Sequence, residues 1–196
     1  MKKSLIISLL LCAATFTAEA QSWLDAVKKI AAETVDNATG GKLTALAIVG
    51  TWNYEAPAVR TSSDDVASNI GGTLASSALN SKIAAAFEKV GISKGFCSIT
   101  IDKDGTFSMP VKSKTLNGTY EFDPSTHSIT LVFGKSAAGT FTGYAYISGT
   151  NLQLVFPVDK FVGFLTSVGS KVSALSSVTA MLQQCENAHV GLEFSK

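Results

Sequence analysis

A chain of 196 residues, 46% hydrophobic and 16% charged, has ample apolar surface for the core of one domain. Its formal net charge is +1, its single arginine is Arg60, and once Lys2, Lys3 and Glu19 are set aside the cations and carboxylates balance. Phosphate contacts need clustered cations, so nucleic acid is excluded as an expected partner.

The N-terminus carries Lys2 and Lys3, the apolar run "LIISLLLCAA" and then "AEA" ahead of Gln21. This is the pattern of a signal peptide over residues 1–20, cleaved after Ala20, and the run is too short to span a bilayer. The expectation is an exported chain, periplasmic or secreted, with no transmembrane segment after cleavage. Two rival readings are a retained anchor and a lipoprotein acylated on Cys12; Leu11 is not the small residue that the second requires. Export leaves Cys97 and Cys185, and an even count in an oxidising compartment permits one disulfide. The alternative is two buried thiols packing as small hydrophobes. Neither His127 nor His189 stands at ligand spacing from a cysteine, so no metal and no cofactor is expected.

Residues 21–47 read as an N-terminal helix and linker. Trp23, Val27, Ile30 and Ala31 recur at helical spacing over residues 22–37, and "ATGGK" then favours a turn. "IVGTWNYEAP" opens a strand. Residues 62–91 return to helical spacing through Val66, Ile70, Leu74, Ala78, Ile83, Phe87 and Val90, with Gly91 suited to the C-terminal cap. The paired Gly71 and Gly72 weaken this helix.

From 96 to 156 the period changes to two. Ile99 and Ile101; Phe107, Met109 and Val111; Leu116, Tyr120 and Phe122; Ile129, Leu131 and Phe133; Phe141, Ala145 and Ile147; and Leu152, Leu154 and Phe156 alternate with polar residues. "DKDG", "KSK", "DPSTH" and "SGTN" carry hairpin chemistry. Helical spacing resumes over 159–186 through Phe161, Leu165 and Val168, interrupted near Gly169, and Asp159 is a candidate cap. Val190, Leu192 and Phe194 form a last strand. Eight antiparallel strands with one apolar face hide it by closing into a barrel, the last strand pairing with the first. The helices then cover the barrel's ends.

"GTW" resembles the Gly-x-Trp signature of lipocalin-like proteins. The series "GTWNYEAPAV", "DGTFSMPV", "LNGTYEFDPSTHSITL" and "VGLEF" is similar to a family of exported lipocalin-like proteins of unknown function from Bacteroidetes. The resemblance implies a lipocalin-like barrel over 48–196, with Trp52 across its base and a basic residue over the indole; Lys196 is the one nearby. It implies no catalytic residue, since the family has no assigned activity.

"DKDG" lacks the third carboxylate and distal Glu of a calcium loop and reads as a turn. "GKS" at 134–136 lacks the glycine of a phosphate loop. His127 and His189 read as surface residues, as do Tyr144 and Tyr146 on the wet face. No nucleophile, base and orienting group assemble, so an enzyme is not expected. The constellation with a binding interpretation is the inward aromatic set Trp52, Tyr54, Phe107, Tyr120, Phe122, Phe133 and Phe141, with Met109 as a deformable wall. These residues either line a site for a small apolar ligand or lipid, or fill the barrel of an envelope module that contacts another protein.

Overall fold

A computed structural model describes residues 35–36, 38–60, 73–111, 113–134, 139–167 and 188–196. The expected signal peptide, the Gly71–Gly72 pair, the break near Gly169 and Cys185 lie outside the described residues. The strands are β1 (Gly50–Arg60), β2 (Ser98–Ile101), β3 (Thr106–Val111), β4 (Lys114–Asp123), β5 (Ser128–Phe133), β6 (Gly139–Ser148), β7 (Asn151–Pro157) and β8 (His189–Ser195). The helices are α1 (Lys42–Ala47), α2 (Thr73–Val90) and α3 (Val158–Ser167). Among the described residues no helix is long and apolar enough to cross a membrane.

The strands form a closed barrel in sequence order, and β8 pairs antiparallel with β1 to seal it. Alternation explains the placement: Ile99, Ile101, Phe107, Met109, Leu116, Ile129 and Leu131 all point into one core. Turn chemistry fixes the register. Asp104 accepts hydrogen bonds from the N–H and hydroxyl of Thr106, and Asp123 accepts both from Ser125. "DKDG" is thus a hairpin turn.

On its other side β8 pairs with β7, where the two backbones come close at Gly191. A Cβ on Gly191 would lie 1.8 Å from the Leu154 carbonyl oxygen, so no side chain fits there. β1 divides its partners. Gly50–Asn53 pair with β2, while Asn53–Arg60 pair with β8 through a bulge between Tyr54 and Ala56. Beyond Asn53, α2 packs beside β1 in place of β2 and adds Ile83, Ala86, Phe87 and Val90 to the core. α2 ends at Gly91, whose φ of 90° provides the expected left-handed cap.

Three features differ from the sequence expectation. Residues 42–47, read as linker, form the short helix α1. Helix α3 starts directly at Val158, so Asp159 lies in its first turn and is not its cap. His127, read as a surface residue, is buried. It adopts φ 56°, stacks on Tyr146 and places Nδ1 3.6 Å from the Asp36 carboxylate.

Candidate functional site: the barrel interior and its aromatic plug

One end of the barrel is a closed base. Trp52 is 2% exposed, and its indole N–H donates to the Ile48 carbonyl at 2.8 Å. The Lys196 ammonium lies 4.5 Å from the centre of the indole ring and donates to the Ala47 carbonyl. The basic residue over the tryptophan is therefore present, delivered by the end of the last strand. Asp36 and residues 38–48 strap this end. The buried Asp36 carboxylate accepts from both the N–H and the hydroxyl of Thr44, and the Thr44 hydroxyl oxygen accepts the Ile147 N–H from β6.

The other end is filled by rings. Phe161 and Phe164 of α3 turn inward as a plug. Phe161 packs against Phe87 of α2 at 5.3 Å and Phe156 at 6.1 Å; Phe164 meets Phe133 at 5.4 Å and Phe141 at 5.6 Å. Phe133 in turn stands edge-on to Phe107 at 5.1 Å. The Phe156–Phe161 pair is stacked and the others are tilted or edge-on; tilted and edge-on pairs are favourable arrangements for aromatic quadrupoles. A void of about 20 Å³ is left among Met109, Phe133, Phe141, Phe156, Phe161 and Phe164, and every described residue lining it is apolar. That is room for about one water molecule, in a place with no hydrogen-bonding partner for it.

Of the expected site residues, Met109, Phe133 and Phe141 line this void. Trp52 and Phe107 are buried in the core, Trp52 at the base and Phe107 in the wall. Tyr54 is buried against Phe87 and Phe194. Burial, followed by the Cys97 and Glu88 charges, pushes its phenol above the ordinary range. Tyr120 and Phe122 are half-buried, and the Tyr120 hydroxyl donates to the Asp102 carbonyl in the β2–β3 turn. Leu131, Leu154, Phe156, Leu192 and Phe194 also line the void, and their inward alternation was readable. Phe164 was not named in the sequence, although its spacing of three from Phe161 puts both on one helical face.

Cys97 is a free thiol, 3% exposed, whose burial raises its pKa to about 12. Among the described residues no group of three His, Cys, Asp or Glu side chains could hold a metal ion. The outer residues Tyr144 and Tyr146 are half-buried and not free: Tyr146 lies under the Arg60 guanidinium at 4.0 Å, and Tyr144 stands against His189 at 5.1 Å.

No curated protein matches the chain. A solved structure, that of a DUF4847 family protein from Bacteroides vulgatus ATCC 8482, is similar at 14% identity with a TM-score of 0.39, covering 78% of this chain and 96% of that one. Residues 25–196, which include the closed barrel, its tryptophan base and its aromatic end, match the family described as Lipocalin-like domain (DUF4923). The chain belongs to that lipocalin-like family, which carries no assigned activity.

Proposed function

We propose that this protein is a non-enzymatic barrel module that acts through its outer surface, its interior being a solid core. The observation behind this reading is the tight packing of the barrel interior among the described residues, where the residual void of about 20 Å³ is far below the ~300 Å³ at which small-molecule pockets begin. The export pattern at residues 1–20 supports work in the envelope or outside the cell, with another envelope protein as the partner. Solvent extraction of the purified exported protein, followed by mass spectrometry, is expected to yield no stoichiometric lipid. Fatty acids and sterols are expected to leave Tm unchanged. A bound lipid, or a Tm that rises with ligand concentration, would overturn the reading.

One observation favours a second reading, a site for a small apolar ligand inside the barrel. The plug comes from a single helix, and the wall beneath it is wholly apolar among the described residues. Withdrawal of α3 would vacate the volume of two phenyl rings. On this reading Phe161→Ala combined with Phe164→Ala increases affinity for fatty acids, whereas a solid core loses stability with no saturable binding.

A further inference from the structure

Outside the barrel a second concavity lies between β1, α2 and the connection from α2 to β2. It has a volume of about 750 Å³, within the ~300–1,000 Å³ range of ligand sites. It exists because β2 stops short. The β1–β2 ladder ends at Asn53, the Tyr54 N–H reaches only the Cys97 carbonyl, and from Glu55 onward β1 has β8 as its single strand partner among the described residues. The groove thus runs along an extended backbone with one unladdered edge.

Three side-chain features point to what would lie there. Asn80, on the α2 side, holds its Oδ1 buried without a hydrogen-bond partner, which leaves an acceptor in need of a donor. Glu55 and Glu88 bring two carboxylates to the lining against the single ammonium of Lys94. The Lys94 ammonium sits 2.6 Å from the Glu55 carboxylate and, together with the Ser195 hydroxyl, holds that carboxyl below the usual range. Glu88 is exposed. Phe96, 72% exposed in the connection before β2, offers an apolar contact at the rim.

We propose that this groove docks an extended peptide segment of a partner protein that carries a basic side chain next to an apolar one. The basic group faces Glu88, a donor meets Asn80 Oδ1, and the apolar side chain packs on Phe96. Pro57 lies on this strand and brings no N–H, so the side chains contribute more to docking than strand addition does. The proposal rests on the outer-surface reading above and names the class of partner.

The test uses fluorescence anisotropy with short fluorescein-labelled peptides that alternate valine with lysine or valine with glutamate. The lysine peptide is expected to bind the full exported chain at least about tenfold more tightly, a preference that added salt weakens. Glu88→Lys should abolish the preference. Asn80→Leu and Phe96→Ser should each weaken the lysine peptide about tenfold. Glu88 and Phe96 are exposed, so these two variants should keep the wild-type Tm. Equal affinity for the two peptides, or unchanged affinity in the three variants, would overturn the proposal. Absence of binding in a protein that is lipid-free and unresponsive to fatty acids overturns the groove and leaves the filled interior standing. Absence of peptide binding together with lipid uptake overturns both.

Discussion

Trp52 joins three parts of the chain through one side chain: its ring is in the core, its N–H holds Ile48, and its face receives Lys196. Trp52→Ala is expected to cost roughly 3–5 kcal/mol, the range for truncating a large core aromatic. Lys196→Ala should cost about 0.5–1 kcal/mol, because a cation over a ring at an exposed site is worth little more. Denaturant melts measure both, and equal losses would contradict this assignment. Tyr54 and Cys97 make a second prediction at this scale. Burial raises both acid pKa values above their reference values of 10.0 and 9.0. Their stabilising contribution is complete below those unfolded-state values and is lost as pH rises through them toward the folded ones. Unfolding free energy should fall from about pH 9 upward, and Tyr54→Phe should flatten that decline. An identical alkaline limb in wild type and variant would contradict it.

At the scale of elements, the N-terminal strap is attached by polar contacts where most of the barrel is attached by apolar ones. Asp36 is 2% exposed and accepts two hydrogen bonds from Thr44, which in turn receives the Ile147 N–H. Asp36→Ala strands those donors, and a loss of about 3 kcal/mol is expected, at the upper end for hydrogen bonds to a charged group. Asp36→Asn keeps an acceptor and should lose less. Hydrogen exchange at residues 42–48 would report whether the strap, rather than the barrel, has loosened. The bulge in β1 acts at the same scale: by shifting register after Tyr54 it lets one strand serve β2 with its first part and β8 with its second.

At the scale of the whole molecule, the packing of β8 against β7 depends on Gly191 and filling depends on α3. Gly191→Ala drives a Cβ into the Leu154 carbonyl, which is backbone and cannot swing aside. The expected outcome is loss of the cooperative unfolding transition in calorimetry. Phe164→Ala removes a ring that touches Phe133, Phe141 and Phe161. It is expected to cost about 3–5 kcal/mol and to enlarge the dry void enough for a small apolar probe such as benzene. A benzene-dependent rise in Tm in this variant, absent from wild type, would confirm that the void is sealed by the plug.

Local pattern alone determined much of this protein. Period-two alternation with turn residues between the runs dictates eight antiparallel strands, because a one-sided apolar strand has one stable way to face a core. "GTW" and the closing "VGLEF" indicated the seam, and Gly91 the end of α2. The inward placement of Phe107 and Phe133 was also legible. Whether those rings enclose a space was not, because a void of about 20 Å³ depends on how Phe161 and Phe164 meet strands distant in sequence. The burial of His127 was hidden for the same reason: its turn looks solvated until Asp36, far away in the chain, arrives beside it. The groove beside Asn80 follows from β2 beginning only at Ser98 and α2 packing along β1 beyond it. Strand identity is a property of short segments, readable one residue after another. Cavities, buried pairs and surface grooves are properties of distances between segments, and only the tertiary structure decides them.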